Sequence, residues 1–445
     1  MRKIIFSVVF MFVALGAMSQ TYNLNVEAKI KTKKEAWTDV KRTRITKLER
    51  TSSDNDKQHY FVYVGDKRYT VGDVDIVANP KTTDEFWTFT QVNNTMPRLK
   101  SRGMQLELRD ELHSDAVDFI SNIRSRGLEM TDACLLNYIR GLMYKLAPST
   151  LVDGRPGTLN LFVVDSPDES SFMYSDGTLV LYTGLLAKLQ CDRDLEAVLS
   201  REIAHYVLDH AVSNVNAAVA RKTRAEFWAS LFTGVVDAID LSLTMKESWF
   251  LPGTLTYPMA QLSSDIASMV VEHGGMKYAK KQDEEAEKVA TQLLELVGQK
   301  GSDDTFVRHI ASAVSSVAMR KYAEGKYSEA IALADRNMAN GMAVATDYLL
   351  KANSLLAMNP SDKDRAEVAK LISLARQIDP QDPMALKTEI LSAVSAKAYS
   401  NAVNLLQQYV SQLTSLRSAA PAQQYDSFGL EIQWAKDTMV RLGSR

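Results

Sequence analysis

The chain has 445 residues, of which 46% are hydrophobic, and its formal net charge is −2 at pH 7. This apolar content excludes a largely disordered chain, and the near-neutral charge shows no sign of the basic surface that nucleic-acid binding requires, so no nucleic-acid partner is expected. At roughly 100–200 residues per domain, the length predicts two to four domains.

Residues 1–19 have the pattern of a signal peptide. Arg2 and Lys3 precede a short apolar run, and Ala17 and Ser19 take the small-residue positions of a cleavage site. The alternative is an uncleaved membrane anchor, but a spanning helix needs about 20 apolar residues, more than this run provides. We therefore expect an exported protein with no transmembrane helix after signal cleavage.

Residues 20–98 are predicted to form a small β-rich domain. The stretch HYFVYVGDKRYTVGDVDIV alternates around a Gly65–Asp66 turn and places Tyr60, Val62 and Val64 on one face of a strand. The stretch EFWTFTQV is predicted to form a further strand. This domain carries no motif for chemistry.

Residues 100–300 combine helices and strands. The stretches DELHSDAVDFISNIRSRG and DACLLNYIRGLMYKLA have the three- and four-residue apolar spacing of helices, whereas GTLNLFVVDS and GTLVLYTG are typical of strands. A further helix is predicted from about Asp194 to Asn214, with Asp192 or Asp194 at its start.

Two features of this region leave alternatives open. The apolar stretch 226–272 is predicted to form buried helices rather than a membrane span, because Asp237 and Asp240 interrupt it. The two cysteines of the chain, Cys134 and Cys191, are compatible with a disulfide or with two free thiols.

Residues 304–445 are predicted to form paired helices. The stretch KYAEGKYSEAIALADRN recurs weakly as SAKAYSNAVNLLQQYV, and Tyr327 and Tyr399 stand two units of a tetratricopeptide-like repeat apart. The alternative is a plain helical bundle. Stacked repeats leave a concave surface for binding other proteins.

The strongest chemical signal is AVLSREIAHYVLDH at residues 197–210. In the zinc-peptidase motif H-E-x-x-H, two histidines on one helix face bind Zn²⁺ and the glutamate activates the metal-bound water. Here the motif is R-E-x-x-H, with Arg201 at the first ligand position, followed by Glu202 and His205.

The stretch DGTLVLYTGLLAKLQCDRDLEAVLSREIAHYVLDH, residues 176–210, resembles the gluzincin metallopeptidases that include HtpX, BepA and the CAAX prenyl protease, which form peptidase family M48. In that family a strand leads into TGLL and then into ELAAVLAHELAHVLLGH. The matching positions are Gly177, Thr183, Gly184, Leu185, Leu186, Leu195, Ala197, Val198, Leu199, Glu202, Ala204, His205 and His210.

The resemblance implies an α+β fold, with a gluzincin-type metallopeptidase domain at 100–300 between the small β-domain and the helical repeats. It implies that Glu202 takes the general-base position and His205 a metal-ligand position. Asp283, in the segment DEEAE, takes the third-ligand position that the family fills with Glu. Extended substrate is implied to add to the strand formed by Thr178, Leu179, Val180, Leu181 and Tyr182.

The departures from the family pattern fall on the metal ligands. Arg201 stays protonated and cannot ligate zinc. Asp283 is one methylene shorter than Glu, whereas zinc bonds tolerate only about ±0.2 Å. His210, five positions after His205, is predicted to point about 140° away around the helix. Asp209 shares the face of His205; the expected state is a solvated or ion-paired carboxylate, and the alternative is a metal ligand.

The joint change at two ligand positions suggests a replacement for zinc. A planar guanidinium can bind a carboxylate through two parallel hydrogen bonds. We therefore predict an Arg201–Asp283 pair that joins the two helices where the metal did.

Two interpretations follow. The first is a non-catalytic relative, without a cofactor, that binds or scaffolds protein or peptide clients in the periplasm or at the periplasmic side of the outer membrane, with envelope assembly partners on the repeats. The alternative is an active zinc-dependent metalloendopeptidase of envelope quality control with an altered ligand set. A chance match in an unrelated helical protein requires that Arg201, His205 and Asp283 lie apart in space.

Overall fold

The computed structural model describes residues 20–36, 42–52, 58–95, 102–149, 151, 158–219, 278–298, 305–419 and 425–443. The predicted signal peptide at 1–19 and the predicted buried helices at 226–272 lie outside these residues. None of the helices in the described ranges is both long enough and apolar enough to cross a membrane.

The N-terminal region is a five-stranded antiparallel sheet, as the β-rich composition predicted. Gly65, with a φ of 57°, makes the predicted turn, and Val62 and Val64 pack into one cluster under the sheet. The strand order is β4-β3-β2-β1-β5. The strands are β1 (Gln20–Thr32), β2 (Arg42–Ser52), β3 (Gln58–Val64), β4 (Lys67–Thr70) and β5 (Val74–Ala78).

The stretch EFWTFTQV, predicted to be a strand, forms helix α1 (Thr83–Thr90) and the turn after it. The Thr82 side chain caps this helix by accepting a hydrogen bond from the Glu85 amide. Capping and acidic residues in the first turn favour the helix over the β-like pattern of aromatic residues. Phe89 packs under the N-terminal sheet, whereas Trp87 enters the core of the next domain and donates from its indole nitrogen to a carbonyl oxygen there.

The next part of the chain is a mixed α/β unit around a three-stranded sheet of order β6-β8-β7, in which β8 runs parallel to β6 and antiparallel to β7. The helices and strands predicted between residues 100 and 190 are confirmed. The elements are α2 (Arg102–Ser125), α3 (Ala133–Leu146), β6 (Asn160–Val164), β7 (Ser171–Met173), β8 (Thr178–Tyr182), α4 (Thr183–Lys188), α5 (Asp192–Val207), α6 (His210–Val219) and α7 (Lys280–Val297).

Helix α5, which carries the motif, lies between the sheet and α7. Apolar residues at helical spacing on both helices enter one buried cluster, which also contains the inner face of β8. The cluster includes Leu179 and Leu181 of β8, Leu195, Leu199 and Ile203 of α5, and Ala286, Val289 and Leu293 of α7. This packing fixes the position of α5 and of the motif residues that it carries.

The C-terminal region is helical, and helices adjacent in sequence pack against each other, as predicted. Whether the pairs are tetratricopeptide-like repeats stays a prediction. The helices are α8 (Thr305–His309), α9 (Ala311–Ala323), α10 (Tyr327–Ala339), α11 (Ala345–Ala357), α12 (Asp362–Ile378), α13 (Pro383–Ser395), α14 (Tyr399–Ala419) and α15 (Tyr425–Gly443).

The predicted boundary near residue 300 does not separate two cores. Phe306 and Val314, on α8 and α9, are buried in the same cluster as the motif helix. Arg320 of α9 donates to Asp165, at the end of β6, over 2.7 Å. The first helices of the C-terminal region therefore complete the core of the preceding unit.

Candidate functional site

The motif residues lie where α5 faces β7 and the start of α7. The side chains of Glu202 and His205 are buried, whereas the Arg201 side chain is 42% exposed. The sequence-predicted residues Arg201, Glu202, His205 and Asp283 are brought together here, through the contacts described below. The interpretation as a chance match in an unrelated fold is therefore excluded.

Arg201 forms an ion pair with the residue beside it. Its Nη2 lies 3.1 Å from Glu202 Oε1, and 3.5 Å from the Ser171 hydroxyl, which donates to the same carboxylate over 2.7 Å. Burial raises the pKa of the Glu202 carboxyl, against the lowering effects of Arg201 and Ser171. Glu202 Oε2 is buried and has no hydrogen-bond partner within the described part of the chain.

The predicted pairing of Arg201 with Asp283 is wrong. Both side chains are described, and Asp283 Oδ1 lies 3.5 Å from His205 Nε2, whereas the guanidinium turns to Glu202 and β7. Glu202 is the nearer carboxylate and is deeply buried, so it gains more from a cation than the half-exposed Asp283 does. Arg201 thus holds the general-base residue and does not bridge α5 to α7.

The helix predicted to run to Asn214 breaks after α5. Asp209 adopts a left-handed conformation, with a φ of 61°, and its carboxylate receives a hydrogen bond from Arg109 of α2 over 2.8 Å. Of the expected states for Asp209, the ion-paired one is confirmed. The break turns His210 back, so its Nδ1 lies 2.9 Å from Nδ1 of His205. The prediction that His210 points away was wrong, because it assumed an unbroken helix.

His205 is held on three sides. Its Nδ1 contacts His210, its Nε2 faces Asp283, and its ring stacks on Tyr278 at 3.6 Å between ring centres. Burial first, and then the charges of His210 and Arg201, lower the pKa of His205 to about 3, so the ring is neutral at physiological pH. One tautomer satisfies both contacts: Nε2–H points to Asp283 and Nδ1 accepts from His210. Nearby, His210 Nε2 lies 3.8 Å from Glu285 Oε2.

The residues present do not fit a catalytic zinc ion. The 3.5 Å between His205 Nε2 and Asp283 Oδ1 is typical of two ligands of one tetrahedral metal, so the shorter Asp283 does reach the site. A catalytic zinc, however, takes three protein ligands, and the first ligand position of the motif holds the cation Arg201. Among the residues that the structure describes, no three His, Cys, Asp or Glu side chains are grouped so that they could hold a metal ion.

The other described groups with metal affinity are engaged elsewhere. His113 pairs with Asp176 at 3.0 Å, and His309 contacts Cys134 at 3.4 Å. Cys134 and Cys191 are free thiols and form no disulfide with each other. None of these residues takes the place of the missing ligand.

The predicted substrate strand is not at the edge of the sheet. β8, Thr178–Tyr182, is the central strand, paired with β6 along its length and with β7 over Leu179–Leu181, and all five of its residues are buried. An added strand would have to displace one of these partners. The edge strand next to α5 is β7, in which Ser171 is partly exposed and Phe172 and Met173 are buried.

The register shows which groups β7 presents. The amide of Tyr174 donates to Thr178, and that of Tyr182 to Ser170, on the side facing β8. By the alternation of an antiparallel ladder, the backbone groups of Ser171 and Met173 point outward. The sequence assigned no role to Ser171 and Tyr278, which lie outside any motif, or to Glu285, which lies in the segment DEEAE where only Asp283 matched a ligand position. His210 carried a signal through its match to the family pattern.

Comparison with known proteins agrees with this geometry. The model of peptidase family M48 matches residues 137–371, more than half of the chain. The chain is 22% identical to the Beta-barrel assembly-enhancing protease of Yersinia pestis over 309 residues, 66% of this chain and 58% of that protein, and so spans less than two thirds of that relative. It is 39% identical to Metalloendopeptidase OMA1, mitochondrial, of Bos taurus over 56 residues, 13% of this chain and 11% of that protein. The chain therefore belongs to peptidase family M48.

Proposed function

We propose that this protein is a non-catalytic member of peptidase family M48 that binds extended segments of other proteins in the cell envelope. The observation that carries the proposal is the state of the motif: Arg201 replaces the first ligand and pairs with Glu202, and both nitrogens of His205 face protein groups. Glu202 is paired with the guanidinium of Arg201, and the adjacent site lacks one metal ligand. Glu202 therefore has no metal-bound water to activate.

The edge of β7 supports peptide binding without a metal. Strand addition uses backbone hydrogen bonds, and the outward groups of Ser171 and Met173 provide them beside the motif helix. Tyr278 places its hydroxyl 3.5 Å from the Met173 carbonyl oxygen, a long contact that an added strand would replace. The C-terminal helices, as tetratricopeptide-like repeats, would add a second protein-binding surface.

The envelope location rests on two observations. Residues 1–19 have the pattern of a signal peptide, and the Yersinia pestis relative is named as an enhancer of β-barrel assembly. We place this chain in the periplasm or at the periplasmic side of the outer membrane, with assembly partners or their clients as ligands. The alternative, an active zinc endopeptidase, would require release of Arg201 from Glu202 and a new third ligand.

The metal content of the purified protein tests this proposal. We expect the unaltered protein, loaded with zinc and dialysed, to retain no stoichiometric metal by mass spectrometry, and a chelator to leave its thermal unfolding unchanged. The matched variant carries Arg201→His and Asp283→Glu, which restore the ligand types of the family, and it is expected to retain zinc. Stoichiometric zinc in the unaltered protein, or cleavage of casein that a chelator abolishes, would overturn the non-catalytic function.

A further inference from the structure

We propose that Arg201 selects the ligand: it binds a side-chain carboxylate of the segment that pairs with β7, so the site prefers extended peptides with Asp or Glu opposite Ser171. This inference rests on the proposed function, in which a peptide adds to the edge of β7. In this inference Arg201, which replaces the first metal ligand, determines which peptides bind.

Part of the Arg201 guanidinium is available to bind a ligand. Arginine has five N–H donors, and the hydrogen bonds of Arg201 within the described part of the chain, to Glu202 and Ser171, all come from Nη2. With 42% of the side chain exposed, Nε and Nη1 are left for a ligand. Each of these two groups can donate one charge-assisted hydrogen bond to a carboxylate, whereas a two-bond fork would use Nη2, which faces Glu202.

The second step is the geometry of the added strand. A residue directly opposite Ser171 would place its Cβ about 5 Å from that of Ser171, on the same face of the sheet. The Ser171 hydroxyl points toward α5, since it donates to Glu202 and lies 3.5 Å from Arg201 Nη2. The side chain opposite Ser171 therefore extends toward the guanidinium.

The third step is the balance of charge. Glu202 approaches the guanidinium from its buried side through Nη2, so a ligand carboxylate that binds Nη1 or Nε would lie closer to the guanidinium than to Glu202. Because Coulomb energy falls with distance, attraction to the adjacent cation exceeds repulsion from the more distant Glu202. A Lys or Arg side chain at the same place would meet the guanidinium with like charge. The expected order of affinity is Asp or Glu, then Gln, then Lys.

Labelled seven-residue peptides of alternating Thr and Val, amidated at the C-terminus, provide the probe, and fluorescence anisotropy measures binding to the full chain. A single Glu, Gln or Lys is moved along the sequence. We expect Glu to bind about tenfold more tightly than Gln at one position, a difference of about 1.4 kcal/mol, and Lys more weakly still. The preference should fall with added salt.

Three controls separate the outcomes. Arg201→Gln should remove the preference for Glu but not binding itself, and Arg201→Lys, which keeps the charge without the planar guanidinium, should retain part of that preference. Peptides methylated on alternate amides should not bind, since strand pairing is blocked. A Gln peptide with a free C-terminal carboxylate should bind with the same affinity as the amidated Gln peptide.

Each contrary result has one meaning. Binding that is equal for Glu, Gln and Lys, a preference that survives Arg201→Gln, or a requirement for a free C-terminus would overturn the role of Arg201 while leaving peptide binding intact. Failure of every peptide to bind would overturn both the inference and the proposed function. Thermal unfolding of each variant shows that it is folded.

Discussion

The ion pair between Asp209 and Arg109 is predicted to be the main support of the bend that brings the two histidines together. We consider the substitution Asp209→Ala. It removes one ion-pair partner of Arg109, whose side chain is 15% exposed, and it places alanine at a φ of 61°. Loss of one member of a buried ion pair costs about 3–5 kcal/mol, because the other charge stays buried.

The backbone adds a second cost. An alanine in the left-handed conformation is strained by about 1–2 kcal/mol, whereas glycine is not. Asp209→Ala is therefore expected to lower the free energy of unfolding by about 4–7 kcal/mol. Asp209→Gly should lose about 1–2 kcal/mol less than Asp209→Ala, and Asp209→Asn, which tolerates this conformation and keeps an acceptor oxygen, should lose the least.

Chemical unfolding, with hydrogen exchange of α5 and α6 as a local readout, measures these differences. The double variant Arg109→Met with Asp209→Asn removes the pair as a whole and should recover most of the stability lost by Asp209→Asn alone. The reasoning fails if Asp209→Ala is within about 1 kcal/mol of the unaltered protein, or if the double variant loses the full sum of the single changes.

Two further tests concern packing, one at a glycine and one at a buried ion pair. Gly184→Ala should prevent folding, because the added Cβ would lie 2.2 Å from the backbone oxygen of Pro167. The control Gly141→Ala, on the exposed side of α3 with open space around it, should stabilise the protein by up to about 1 kcal/mol. Soluble yield and thermal unfolding measure both variants, and a well-folded Gly184→Ala variant would show that the close approach is not needed. Asp165→Ala leaves Arg320 buried without this partner and should cost about 3 kcal/mol of unfolding free energy by chemical denaturation; equal stability would show that the contact between β6 and α9 contributes little.

The sequence predicted the helices and strands better than the tertiary contacts between them. Periodicity located the strands around Gly65 and the helix that carries Glu202, because apolar spacing directly reflects which face is buried. It failed at EFWTFTQV, where alternating aromatic residues are typical of a strand but the cap at Thr82 and the contact of Trp87 with a second domain favour a helix. Tertiary contacts of this kind have no local signature.

The site shows the same limit. The family pattern correctly placed Asp283 close to His205, since both positions belong to helices whose packing the framework maintains. It could not foresee the bend at Asp209, which depends on an arginine 100 positions away. It also assigned the peptide-binding edge to Thr178–Tyr182, because a buried central strand and an edge strand can have the same apolar composition.

The shared core of the motif helix and α9 has a consequence for how the chain folds during synthesis. Leu199 and Val314 belong to one buried cluster, although more than 100 residues separate them. The part of this cluster that α9 covers, on α4, therefore stays exposed until α9 has left the ribosome, and contacts this distant in sequence form slowly. A chaperone that shields this surface during translation or export would increase the yield of native protein, and a fragment that stops before α9 would aggregate.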